Sequence, residues 1–243
     1  MTSKSHDAVA GDETPFVSTG HLPSPEQLHG WVHDAYERYR SNTDGDVSDV
    51  YPALAKVRGD LFGICVVAAN GHVYTVGDAE HEFAIMSVSK PFVFASVCQT
   101  PGPDAVRERL GVNATGLSFN SLEGVERSDD GRTNPMVNSG AIATTSLVPG
   151  ISPDARWRTI HESLSRFAGR PLTLNDEVYA SASATNFRNQ SIASLLQSRE
   201  RIYVDPAEAT DLYTRQCALN VTARDLQPGT GEPGLHAAPG RCR

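Results

Sequence analysis

The chain has 243 residues, 39% of them hydrophobic and 21% charged, which suits one sizeable domain, or a domain with a subdomain, folded as a soluble globule. A formal net charge of -8, with no basic cluster opposing it, excludes a nucleic-acid footprint. No window approaches the about 18 consecutive apolar residues of a membrane span, and the opening MTSKSHDAVAGDETP has no apolar signal-peptide core.

Residues 1–20 are polar and aperiodic and read as a disordered leader. A helix is predicted over about 24–40, with Ser24 as N-cap, Pro25 at the first helical position and Gln27 completing a capping box. Its apolar stripe is Leu28, Trp31, Val32, Ala35 and Tyr39. After the polar loop SNTDGDVSD, residues 61–77 read as a β-hairpin, two β-branched runs flanking Asn70-Gly71 as a type I′ turn. A short apolar helix follows over 87–99. Pro91 lacks an N–H and fits only the first turn, so this helix begins near Ser87. Residues 134–148 are rich in Ala, Ser, Thr and Gly and predict a buried, closely packed element.

Residues 154–169 carry Trp157, Ile160, Leu164 and Phe167 at helical spacing and end at a Gly169-Arg170-Pro171 turn. Another helix is expected from about 186. A last one opens at Asp205-Pro206, with Ala209, Leu212, Tyr213 and Cys217 on one face. From Gln227 the composition changes to a Pro/Gly-rich tail, 227–243, with nothing from which to build a helix or strand. Internal repeats and a nucleotide-binding glycine loop are both lacking. The cysteines (Cys65, Cys98, Cys217, Cys242) have no metal-ligand spacing; three read as buried free thiols in a reducing cytoplasm.

Ser87 and Lys90 carry the chemistry. A serine hydroxyl needs a base to become a nucleophile, and a lysine can serve if burial keeps it neutral. At i, i+3 the two side chains share a helix face, and Ile85, Val88, Phe92 and Val93 supply apolar surroundings. At a helix start, Ser87 lies at the positive end of the helix dipole, and its N–H can stabilise an oxyanion. S-x-x-K works this way in penicillin-recognising serine enzymes. The bland alternative is an N-cap serine beside a snorkelling lysine.

Five stretches in order give this pattern a family resemblance: VYPALAKV (50–57), FAIMSVSKPF (83–92), NPMVNSGAIATTSL (134–147), FRNQSIASLL (187–196) and LYTRQCALNVTARDL (212–226). Over roughly 45–226 the sequence resembles the serine-dependent glutaminases. The resemblance implies a mixed α/β fold of the serine β-lactamase/DD-peptidase type, a helical subdomain with a partial antiparallel sheet. It implies hydrolysis of L-glutamine to L-glutamate and ammonia without metal or organic cofactor. It makes Ser87 the nucleophile and Lys90 its proton acceptor. Tyr51 would line the substrate pocket, Asn138 and Asn189 would bond the bound amino acid, and Tyr213 would complete the pocket. A homo-oligomer, dimer or tetramer, in the cytoplasm is implied as well, with no nucleic-acid or membrane partner. Residue by residue the alternatives are plain: Asn138 as a helix N-cap, Tyr213 as core, Arg188 as a structural residue pairing with a nearby carboxylate.

Two departures stand out. Ala182 occupies the position of the family's ammonium-binding glutamate, with Glu177 as the nearest substitute. Family members also continue past ARDL with further strands, a second tyrosine and a KSG-type segment. The expected organisation is therefore a leader (1–20), a C-terminally incomplete glutaminase-like domain (21–226) and a non-family tail (227–243). The chain as it stands is expected to be inactive. Rival readings are a non-catalytic glutaminase remnant or interaction module, and a penicillin-recognising acyl-transfer enzyme; the S-D-N and K-T-G elements of the last are not found.

Overall fold

Ser24 starts the first helix, α1 (Pro25–Tyr39), and its capping box with Gln27 is complete in both directions. The computed structural model describes residues 23–68 and 70–226. The expected leader, the expected tail and Cys242 lie outside them. The inner face of α1 differs from the predicted stripe. Only Val32 is buried, Tyr36 stacks on Phe62 with ring centroids 5.6 Å apart, and Trp31 and Tyr39 point outward. The helix lies on a hairpin rather than in the main core, so it buries a narrower strip than its periodicity suggests.

That hairpin joins β1 (Gly63–Val67) to β2 (Val73–Gly77), paired Val67↔Val73 and Gly63↔Gly77. Its turn corrects the two-residue type I′ expectation. Gly71 N–H donates to Ala68 C=O, Ala68 N–H donates to His72 C=O, and Gly71 takes φ 86°. Gly71 thus closes a longer loop from the left-handed region, which glycine enters without a Cβ penalty.

A second antiparallel sheet was not predicted. In it β5 (Leu219–Val221) lies between β3 (Phe83–Ala84) and β4 (Thr173–Leu174). Segments of two or three residues are too short to show alternation. Ile85 N–H extends the pairing by donating to Leu219 C=O at 2.8 Å. A turn of 3₁₀ helix, Met86–Val88, then runs into α2 (Ser89–Cys98), so Ser87 stands at a strand-to-helix junction, as Pro91 required.

The chain continues through α3 (Pro103–Leu110) and α4 (Glu123–Glu126) to α5 (Asn138–Ser146), in which every residue is buried. This is the predicted small-residue element, packed among α2, α8 and α9. Gly140 permits the close approach: a Cβ there would stand 2.0 Å from the Asn134 carbonyl oxygen. The buried hydroxyls of Thr144 and Thr145 bond back to the carbonyls of Gly140 and Ala141, which removes their desolvation cost.

The amphipathic α6 (Pro153–Ala168) has Ser152 as N-cap and Gly169, at φ 71°, as its left-handed terminator. Asn175 caps α7 (Asp176–Thr185), which leads into α8 (Phe187–Ser198). Asp205 caps α9 (Pro206–Cys217), whose Ala209, Leu212, Tyr213 and Cys217 are all buried as predicted. Ile142, Ile192 and Leu212 sit at the centre of the core. Each fully buried side chain of this size contributes about 1.5–3 kcal/mol. The result is a helix-rich α/β fold with small antiparallel sheets. Among the described residues no helix is long and apolar enough to cross a membrane.

Candidate active site

Ser87 opens onto a cavity of about 880 Å³ that is also lined by Tyr51, Asn138, Asn189 and Tyr213. Four remote segments meet there because β3, α5, α8 and α9 converge on the strand-to-helix junction. Met86 precedes the serine with φ 49°, a left-handed conformation that costs a residue with a Cβ about 1–3 kcal/mol. The β5 pairing holds it there. The first turn-closing bond is Val88 N–H to Ile85 C=O at 3.1 Å, so the Ser87 N–H lies ahead of it and has no partner within the turn.

Lys90 is only 4% exposed. Its Nζ donates to Met136 C=O at 3.1 Å and to Asn138 Oδ1 at 2.9 Å, and the Phe119 ring centroid lies 5.6 Å away. Burial among these neutral groups holds its pKa below the ordinary lysine value. Asn138 is the first residue of α5 and not its cap; the cap position is Val137. Its backbone N–H donates to Phe119 C=O at 2.7 Å, and its Nδ2 donates to Asn189 Oδ1 at 2.9 Å. Tyr213 donates its hydroxyl to the same Asn138 Oδ1 at 3.3 Å, and it lines the cavity together with Ser87. Burial pushes the phenol well above its usual pKa.

Lys90, Asn138, Asn189 and Tyr213 thus form one hydrogen-bonded group, and Ser87 lines the same cavity beside it. Among the described residues no hydrogen bond joins Ser87 Oγ to Lys90 Nζ; the lysine connects through Asn138. Tyr51 lines the cavity mouth, its phenol pushed up by burial. The backbone nearby is tied to α7 by Ala53 N–H donating to Ser181 Oγ at 3.1 Å. Ser181 and Ala182 are adjacent, and Ala182 is buried and lines the cavity with a bare methyl.

Three side chains change standing. Cys217, predicted only as a buried thiol, lines the cavity and meets Ser89 Oγ at 3.8 Å; burial pushes its thiol up to about 11. Its place on the Tyr213 face, one helical turn on, was the available signal. Arg188, expected to pair with a carboxylate, donates its Nε to Asn120 C=O at 2.6 Å and lines the cavity mouth. Glu177, the suspected substitute for the absent glutamate, is exposed and pairs with Lys56 instead. Among the described residues no cluster of three His, Cys, Asp or Glu could hold a metal ion.

The glutaminase family model matches residues 45–229. The chain belongs to the glutaminase family. It is 61% identical to Glutaminase 2 of Yersinia pestis over 211 residues, covering 87% of this chain and 62% of that relative. It is 51% identical to a glutaminase of Brucella canis over 186 residues, covering 76% of this chain and 59% of the relative. Among solved structures, the probable glutaminase ybaS superposes with a TM-score of 0.81 at 38% identity, over 84% of this chain and 66% of the other. Mglu in its L-glutamate binding form gives 0.73 at 31% identity, over 84% and 45%. The chain therefore spans about three fifths of the curated relatives' length. The glutaminase neighbours carry the β-lactamase-like fold that the family resemblance implied, and the glutaminase match displaces the penicillin-recognising alternative.

Proposed function

We propose that this glutaminase-family site hydrolyses L-glutamine to L-glutamate and ammonia through an acyl-enzyme on Ser87. The observation that carries the reading is the hydrogen bonding of Lys90. A neutral lysine has two N–H donors and one lone pair. Met136 C=O and Asn138 Oδ1 engage two donors, which leaves the lone pair for the Ser87 proton. Ser87 Oγ attacks the side-chain amide carbonyl, and the Ser87 N–H faces the developing oxyanion. The Lys90 proton passes to the departing nitrogen, the C–N bond breaks and ammonia leaves. Water then attacks the ester, Lys90 taking its proton and passing it to Ser87 Oγ as the Oγ–C bond breaks, and glutamate departs. Tyr213 lines the pocket beside Ser87, and Asn138 and Asn189 bond the amino-acid end. The homo-oligomeric state and the cytoplasmic setting belong to the same proposal.

Ala182 favours a second reading, a family member that acylates or binds without efficient turnover, because the cavity wall offers a methyl where an ammonium needs a carboxylate. Two assays separate the readings. A fluorophosphonate reports the Ser87 nucleophile by intact mass, and ammonia release reports turnover. The first reading expects both, with each reduced by several orders of magnitude in Ser87→Ala. Labelling without ammonia selects the second reading. An unlabelled Ser87 overturns both.

A further inference from the structure

The charged side chains that line the cavity are Lys56, Arg58, Glu82 and Arg188. Three of them already have an ionic partner, although Arg170, the partner of Glu82, also holds Asp225 at 2.7 Å. Lys56 pairs with Glu177, Arg58 takes Asp60 in two bonds of 2.9 and 2.5 Å, and Glu82 pairs with Arg170 at 2.9 Å. Arg188 has no carboxylate partner among the described residues. Its single bond, Nε–H to the Asn120 carbonyl, fixes the guanidinium and leaves both terminal nitrogens without an acceptor among the described residues. It is adjacent to Asn189, which belongs to the Asn138 network. Arg188 is therefore the charged lining residue without an ionic partner among the described residues, and it is positive. No unengaged carboxylate lines the cavity, and the wall at Ala182 is apolar.

A ligand in this cavity needs an anion far more than a cation. A carboxylate can take both terminal nitrogens of Arg188 in the two-bond geometry that guanidinium favours. A substrate ammonium would meet only neutral acceptors. We propose that Arg188 is the specificity-determining residue, binding the substrate carboxylate remote from the reacting amide. We further propose that the substrate class is the ω-monoamides of five-carbon dicarboxylic acids, with or without an α-amino group. Glutaramate is then handled alongside glutamine. This rests on the acyl-transfer reading above and adds to it the group by which substrate is selected.

The test is binding of three probes to the purified full chain by isothermal titration: L-glutamate, glutarate, which lacks the amino group, and 4-aminobutyrate, which lacks the α-carboxylate. Glutarate is expected within about threefold of L-glutamate and 4-aminobutyrate at least about tenfold weaker, the loss of one charge-assisted pair. Arg188→Gln weakens both dicarboxylates by about tenfold or more, and Arg188→Lys recovers part of it. The thermal midpoint stays near wild type in both variants, since Arg188 lies exposed in the first turn of α8. A merely structural arginine would move the midpoint and leave the ligand order intact. L-Glutamate binding with glutarate silent overturns the inference and keeps the glutaminase reading. Glutarate binding with L-glutamate silent does the reverse. Binding of 4-aminobutyrate as tight as L-glutamate overturns the role of Arg188, and silence from all three overturns both.

Discussion

Asn138→Asp tests the central electrostatic premise. The substitution is nearly isosteric and sets a carboxylate where Lys90 Nζ now meets a neutral oxygen at 2.9 Å. Two unit charges about 4 Å apart interact by about 4 kcal/mol at an effective dielectric constant of about 20. Water in the adjoining cavity reduces this, so about 3 kcal/mol is the working figure, a factor of about 100 in the Lys90 protonation equilibrium. The sign follows from the chemistry. Reaction needs neutral Lys90, the new carboxylate favours the ammonium, and at a fixed pH the reactive fraction falls.

The assay is the rate of fluorophosphonate labelling of Ser87 between pH 6 and 10, read by mass spectrometry. In the wild type the rate rises with pH through a lysine whose pKa lies below the ordinary value. In Asn138→Asp the rise moves to higher pH, and labelling at neutral pH drops by about two orders of magnitude. Stability moves the other way. Relative to wild type the new carboxylate favours the charged Lys90 in the folded state, and that relative advantage disappears as pH rises through the variant's folded pKa. Loss of the Nδ2 bond to Asn189 removes about 1 kcal/mol of that advantage. A folded variant that labels as fast as wild type at neutral pH would refute Lys90 as the base.

Ala182→Glu supplies the missing carboxylate and should tighten L-glutamate at least about tenfold while weakening glutarate; unchanged ratios in the same titration would show that position 182 does not meet the amino group. Gly140→Ala drives a methyl into the Asn134 backbone and, through it, into the Met136 segment that holds Lys90, so the urea midpoint should fall by the equivalent of about 1–3 kcal/mol. An unmoved midpoint would contradict that close packing. With its thiol pushed up to about 11 and buried, Cys217 should resist iodoacetamide at neutral pH until urea unfolds the chain, and rapid modification of the native protein would contradict its placement.

The helices with strong local signals were legible in the sequence. Ser24 and Asp205 each accept the backbone N–H bonds that their positions forecast. Residues 176–185 escaped because Val178 and Ala182 are the only buried residues of α7, too few for a periodic stripe, although the Asn175 cap was there to be read. The face of α1 was misassigned for the opposite reason: its apolar residues outnumber those the hairpin can cover. Within the site, residue types and the Ser87–Lys90 spacing were legible from the motif segments. The partners of Lys90 were not. Met136 and Asn138 lie 46 and 48 residues away, brought in by packing of α5 against α2, which no local pattern encodes. The terminal nitrogens of Arg188 were equally hidden, since the pairings of Lys56 and Glu82 and the packing that sets Arg188 at the cavity are tertiary facts.

One physical cause runs through the centre of the site. Lys90, Tyr213 and Cys217 are three titratable groups, and in each the dominant influence is burial, which favours the neutral form. For the lysine that means a lowered pKa, and for the phenol and thiol a raised one. Their hydrogen-bond partners are correspondingly uncharged: a carbonyl, amide groups and hydroxyls. A carboxylate beside Lys90 would hold it as an ammonium and remove the lone pair on which nucleophile activation depends. In the proposed mechanism Ser87 works as a base-assisted nucleophile because the interior around Lys90 carries no fixed charge, while the proposed substrate-binding charge, Arg188, sits at the rim, beyond the buried network.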